Sequence, residues 1–260
     1  MIVARRFPQL LAASLVAAWV AAFSSVPALG DENPPVSPLP AEGSDGSAHT
    51  VGYSLGGRAI ECQEFGVGSD VLMVIATIHG NEASGTPLVA AFADWLRANP
   101  DELAGKKVVI VPVANPDGFA ADERFNQNGV DLNRNFPATN FGGDDTKPYG
   151  ERPLSEPESR TLMKVLCHYF PARVVSIHQP VNCVDYDGPA ESLAQAMAAE
   201  CPLPVKKLGS RPGSLGSFVG VTLNRPIITL ELPKNAGMDA QQLWQVYGGA
   251  LRAALRHSGQ

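Results

Sequence analysis

The sequence predicts an α/β domain of three layers: a mixed, mostly parallel central sheet flanked by helices. Three observations lead there. Four short, nearly continuous apolar runs, at 71–78, 108–113, 174–177 and 227–230, have the composition of strands covered on both faces. Segments with helical spacing separate them, as parallel strands joined by crossovers require. Polar, chemistry-bearing residues follow the runs closely: His79, Asn115, His178 and Glu231. In open parallel sheets, ligands bind beyond the carboxyl ends of the strands.

The first 30 residues hold Arg5 and Arg6 and no acid, then an apolar stretch from Leu10 to Phe23, then a small-residue zone ending Ala28-Leu29-Gly30. This is the pattern of a cleaved signal peptide. The apolar stretch is short for a membrane span, which needs about 20 residues. After cleavage no stable membrane insertion is expected. Residues 31–48 are rich in Pro, Ser, Gly and acid and bury too little apolar surface to order themselves, so a flexible tether is expected there. The folded domain is expected over 49–260.

Within it, residues 51–54 and 59–65 flank Gly56-Gly57 as an edge hairpin. The run 71–78 is a buried strand. Residues 86–98 are a helix with Leu88, Phe92, Trp95 and Leu96 on one side. The strand 108–113 follows. The polar, Gly/Asn-rich stretch from Asn115 to about Leu154 is too long for a neutral connection, which marks it as functional. Residues 155–169 open with Ser-Glu-Pro-Glu, a cap and Pro in a helix first turn. The strand 174–177, a short helix 191–200, the strand 227–230 and a closing helix 241–256 complete the chain. No internal repeat is visible.

Removal of residues 1–30 leaves 18 basic against 26 acidic side chains, a formal net charge of −8. Such a chain has no electrostatic attraction to nucleic acid or an anionic membrane surface. The four cysteines, Cys62, Cys167, Cys183 and Cys201, form no CxxC pair. They are either buried thiols or, in an oxidising compartment, one or two disulfides. Cys183–Cys201 is the favoured pair, because only a loop and a short helix separate them.

His79 and Glu82, in His-Gly-Asn-Glu, are spaced so that one turn lets both face an ion. With the strand-terminal His178 they make two imidazoles and one carboxylate. That set leaves the fourth position of a tetrahedral Zn²⁺ open, as catalytic rather than structural zinc requires. One ion is expected. Glu231, among apolar neighbours in Thr-Leu-Glu-Leu-Pro, is the candidate general base for a water, with desolvation favouring its protonated form. Arg124 and Asn133-Arg134 lie in the long loop, where one guanidinium can polarise a carbonyl and another can hold a carboxylate. His49, His168 and His257 fall in the tether, a helix and the tail, away from these groups.

These motifs together resemble the zinc carboxypeptidases, the M14 metallopeptidases, over about residues 50–255. The matching pieces are Tyr53–Arg58 (YSLGGR), His79–Glu82, Asn115–Gly118 (NPDG), Asn128–Pro137 (NGVDLNRNFP), Leu154–Glu158 (LSEPE), His178 and Thr229–Glu231. The resemblance implies zinc on His79, Glu82 and His178, and Glu231 as general base and acid. It also implies Arg124 polarising the carbonyl, and Asn133 and Arg134 binding a substrate carboxylate. The compact size and Pro212–Ser217 (PGSLGS) look most like the murein peptide amidases of that family. Their implied substrate is a peptidoglycan stem peptide cut at the γ-D-glutamyl–diaminopimelate bond, which with the signal sequence places the protein in the periplasm or outside the cell. Digestive-type members carry a mobile tyrosine before the Glu strand. Here the nearest upstream tyrosine is Tyr186, and no acidic specificity residue can be read off.

Three other functions fit less of the sequence. A carboxypeptidase acting on ordinary peptides would use the same groups. An N-acyl amino acid deacylase of the aspartoacylase type shares the fold but sits poorly with secretion. A binding module without turnover would be expected to lack a ligand or the base, and none is missing.

Overall fold

The computed structural model describes residues 45–143, 148–234 and 238–258, all within one compact unit. The expected signal peptide and residues 31–44 of the expected tether lie outside them. In chain order the elements are β1 (Asp45–Tyr53), β2 (Ala59–Phe65), β3 (Asp70–Ala76), α1 (Gly85–Ala98), β4 (Lys106–Val111), α2 (Pro116–Ala121), α3 (Pro157–Tyr169), β5 (Arg173–His178), β6 (Cys183–Asp187), α4 (Glu191–Ala198), β7 (Val205–Lys206), β8 (Ile227–Glu231) and α5 (Ala240–Arg256).

The strands form one mixed sheet in the order β1-β2-β4-β3-β5-β8-β6-β7. The four apolar runs are its parallel centre, β4-β3-β5-β8. Leu72 to Ala76 of β3 and Val108 to Val111 of β4 are all buried, so neither face of these strands meets water. Antiparallel pairs join β1 to β2, β2 to β4 and β8 to β6, which makes the sheet mixed as expected.

Successive side chains of a strand face opposite sides. Leu72, Val74 and Ala76 face α1, α4 and α5 in one core with Phe92, Met197 and Leu251. Phe92, Trp95 and Trp244 form a cluster of three rings, with the Phe92 ring stacked on Trp95 and Trp244 at centroid distances of 6.1 and 6.0 Å and the two tryptophans 6.0 Å apart. α3 packs over β1, and Gly52 permits this: a Cβ there would lie 2.1 Å from the Thr161 hydroxyl.

Four details differ from the sequence reading. First, β1 begins at Asp45, inside the expected tether, so His49 lies on a strand. Its ladder to β2 pairs Asp45 with Phe65 and Ala48 with Gln63 through backbone groups, which polar side chains do not impair. At Gly46, with φ +82°, the Phe65 ring occupies the space a Cβ would need. Second, Ser155 does not cap α3: the cap residue is Glu156, without a side-chain bond, and the Ser155 hydroxyl donates to Glu156 at 2.7 Å.

Third, β6 was not expected. Its Cys-Val-Asp-Tyr-Asp sequence has period two, sending Val184 and Tyr186 into the helical-layer core and Cys183, Asp185 and Asp187 to the other face. Fourth, all four cysteines are free. Cys201 packs against the helical-layer core, on the side of the sheet that Cys183 turns away from, so the favoured Cys183–Cys201 pair does not form. No helix among the described residues is long and apolar enough to cross a membrane.

Replacing Phe92 by Ala should lower the unfolding free energy by about 3–5 kcal/mol, the usual cost of emptying a buried aromatic site. Urea denaturation measures this. An unchanged midpoint would contradict the stacked Phe92–Trp244 layer.

Candidate metal centre and cleft

The centre is built where β3, β5 and β8 end. Past Ala76, Thr77 takes a left-handed conformation, φ +53°, which is uncommon for a β-branched residue and costs of order 1–3 kcal/mol. Its carbonyl accepts Asn115 N–H at 3.0 Å, and its hydroxyl meets Thr86 Oγ1 at 2.8 Å. Thr86 in turn donates to the Pro112 carbonyl at 3.0 Å, so Thr77 is the donor of that pair. The turn that follows carries His79 and Glu82, with Glu82 N–H donating to the His79 carbonyl at 3.1 Å. Gly80 lets α2 approach: a Cβ there would lie 2.0 Å from the Gly118 carbonyl carbon.

His178 is the last residue of β5, reached through the β3–β5 parallel ladder. One donor atom from each of His79, Glu82 and His178 lies within 4.8 Å of the others, and all three residues are buried. Among the described residues no other such group exists. The Nδ1 atoms of the two histidines are 3.2 Å apart, and each faces one oxygen of Glu82, at 2.7 and 2.8 Å. Two nitrogens on tetrahedral zinc, with bonds of about 2.0–2.1 Å, stand roughly 3.3 Å apart, so the donor set fits that ion.

One functional carboxylate escaped the sequence reading. Asp131 Oδ1 lies 3.0 Å from His79 Nε2, a contact that would hold a proton on Nε2 and free Nδ1 for an ion. The same oxygen takes Asn133 N–H at 3.0 Å, and Oδ2 takes Arg124 Nε–H and Nη2–H at 3.3 and 3.2 Å. Burial opposes the charge of Asp131, but the His79 hydrogen bond and the nearby guanidinium groups hold its carboxyl well below the usual range. Burial likewise opposes the charge of Glu82, and its bonds to His178 and His79 outweigh that, pulling its carboxyl far down. The signal for Asp131 was its place within Asn128–Pro137, but that run was read only for Asn133 and Arg134.

The other expected residues converge on the same cleft. Arg124 Nη1 donates to Glu82 Oε1 at 2.9 Å from the cavity edge. Asn133 Nδ2 lies 3.5 Å from His178 Nε2, and Asn133 Oδ1 accepts Leu215 N–H at 2.9 Å. Arg134 is buried, and its Nη1 meets only the Asn133 carbonyl, at 2.6 Å. Glu231 is the last residue of β8, directly paired with His178. It is partly exposed, more than its apolar sequence neighbours suggested, because it faces the cavity; Oε2 accepts Val181 N–H at 3.2 Å. The cavity, of about 230 Å³, is lined by His79, Glu82, His178, Arg124, Asn133, Arg134 and Glu231. Asp185, Asp187 and Arg211 also line it. The arrangement can hold one cation, move a proton at Glu231 and bind an anion at Arg134.

Comparison with known proteins agrees with this geometry. Residues 45–186 match the family model described as zinc carboxypeptidase. The chain is 35% identical to murein peptide amidase A of Escherichia coli K12, over 65% of its own length and 74% of that protein. It is 29% identical to the human carboxypeptidase N catalytic chain, over 65% of its own length and 46% of that protein. Among solved structures, murein-tripeptide amidase from Escherichia coli O157 superposes with a TM-score of 0.64 at 27% identity, covering 85% of this chain and 98% of that one. Carboxypeptidase A of Helicoverpa armigera, at 20% identity, shares the fold with a TM-score of 0.67, over 80% of this chain and 68% of that one.

Changing Asp131 to Asn keeps its shape but removes the charge that orients His79. Zinc affinity should fall about 10–100-fold, read by competition with a chromophoric chelator. Unaltered affinity would show that Asp131 does not support the centre.

Proposed function

This chain belongs to the zinc carboxypeptidase family and is a zinc-dependent hydrolase of peptide bonds, and on that premise we propose that it is an exported amidase of peptidoglycan stem peptides. The bond cut is the one between γ-D-glutamate and diaminopimelate. The observation that carries the proposal is a single cleft holding the His79–Glu82–His178 donor set, Glu231 beside it, and a buried Arg134 with no carboxylate partner among the described residues. The likeness to murein peptide amidase A supports the choice of substrate. Export to the periplasm or beyond rests on the charged, apolar and small-residue pattern of residues 1–30.

In this mechanism His79, Glu82 and His178 hold the ion. When bound, zinc supplies Lewis acidity, polarising a carbonyl and making a water easier to deprotonate. Arg134 and Asn133 bind the carboxylate next to the scissile bond, a charge-assisted contact that also fixes the substrate's direction. Arg124 donates to the carbonyl oxygen as negative charge grows there. It stays anchored meanwhile by Asp131, through Nε and Nη2. The Val181 N–H holds Glu231 Oε2, leaving Oε1 to take the proton of the attacking water and deliver it to the leaving amine.

Incubating the protein with L-Ala-γ-D-Glu-meso-diaminopimelate should release free diaminopimelate, detected by mass spectrometry, and a chelator should abolish release. No release by zinc-loaded protein, with cleavage of ordinary C-terminal peptides or N-acyl amino acids instead, would replace this proposal with one of those activities. Glu231→Gln should lower kcat by about 10²–10⁴-fold, the usual contribution of a general base, while one zinc per chain is retained. Full turnover by that variant would remove Glu231 from the mechanism.

A further inference from the structure

The cleft carries a second charged feature that the reaction above does not use. Asp185 and Asp187 project from β6 on the face opposite Val184 and Tyr186, into the same cavity as the metal centre. They are only 6% and 7% exposed. Each spends one oxygen on a neutral donor: Asp185 Oδ1 accepts Leu208 N–H at 2.8 Å, and Asp187 Oδ1 accepts the Ser210 hydroxyl. The Tyr186 backbone N–H also acts on Asp185, and no described basic side chain pairs with either carboxylate. The Lys207 ammonium lies 5.0 Å over the Tyr186 ring instead.

Two like charges buried without a cation are costly. Burial raises the Asp185 carboxyl, and the neighbouring charges of Asp187 and Glu231 push it the same way. The space beside Asp187 is kept clear by glycine: a Cβ on Gly216 would lie 2.6 Å from Asp187 Oδ2. The buried guanidinium of Arg134, which also lines the cavity and meets only a backbone carbonyl, is an independent sign of a charged ligand. The cavity thus offers a cation to one part of a substrate and an anionic pair to another. Arg211 adds an exposed cation to the lining.

We propose that Asp185 and Asp187 select the released residue by receiving an ammonium group at the end of its side chain, and that Arg211 takes a carboxylate carried on that same end. The inference rests on the amidase function proposed above and gives it a chemical specificity: the released residue has a second, amino-acid-like terminus. A lysine offers the ammonium alone, and an apolar side chain of equal length offers neither charge.

The test compares kcat/KM for L-Ala-γ-D-Glu tripeptides ending in meso-diaminopimelate, L-lysine and L-norleucine. The intact enzyme should prefer lysine over norleucine by at least about 100-fold, since a site built for a polar group strongly rejects the analogue lacking it. Diaminopimelate should exceed lysine. In Asp185→Asn and Asp187→Asn, which keep an oxygen acceptor for Leu208 and Ser210, the lysine-to-norleucine ratio should collapse toward one, chiefly through KM. Arg211→Gln should narrow the gap between diaminopimelate and lysine. Zinc content confirms that each variant is folded.

A second measurement needs no variant: free diaminopimelate should inhibit the unaltered enzyme as product far more strongly than norleucine does. Equal rates on lysine and norleucine substrates, or a ratio undisturbed in both Asn variants, would overturn the pocket assignment while the amidase function stands. Release of none of the three residues would overturn the amidase function itself. The same lysine–norleucine pair at the end of an ordinary acylated dipeptide would then decide the pocket assignment separately.

Discussion

One buried carboxylate holds the centre in register. Asp131 faces His79 Nε2 and receives two N–H groups of Arg124 and the backbone N–H of Asn133. An isolated buried anion is expensive, and donors arranged around it recover that cost only when each is well aimed. Satisfying Asp131 therefore places His79, Arg124 and Asn133 around one cleft at the same time. Around Asp131 the described part of the long loop is fixed by these polar contacts rather than by hydrophobic patterning.

The rest of the centre depends on strand ends. β5 and β8 are neighbours in exact pairing of His178 with Glu231, so ligand and candidate base sit side by side without any loop between them. His79 comes from the adjacent β3, beyond the strained Thr77. A left-handed Thr is tolerated because Thr86 and Asn115 hold both its hydroxyl and its carbonyl. Strain of this size is small against the packing of β3 beneath it, where every residue from Leu72 to Ala76 is buried.

Much of this was legible in the chain. The parallel centre of the sheet was readable because strands buried on both faces need continuous apolar runs, and His79, His178 and Glu231 stand close behind them. The parts that escaped were those whose meaning is tertiary. β6 alternates apolar and acidic residues, and its acids are inward because a cavity lies on that side, not because the sequence is apolar. β1 starts earlier than its composition suggests, since a backbone ladder supplies the order. Asp131 was hidden among other polar residues of a loop, and only its contacts distinguish it. Ser155 had the right type for a cap, but Glu156 takes the cap position and accepts the Ser155 hydroxyl.

The sheet order also bears on how the chain is made. β3 lies between β4, which follows it closely, and β5, which lies about a hundred residues further on; the His178–Glu82 contact spans 96 positions. A ribosome delivers His79 and Glu82 early, in the turn after a strand whose second edge stays unpaired until β5 emerges, and β8 comes later still. Pairings this distant are slow to form and leave apolar edges open to other chains in the meantime. The segment that carries His79 and Glu82 therefore keeps an open edge for much of synthesis, and the cleft is assembled only once most of the chain has emerged.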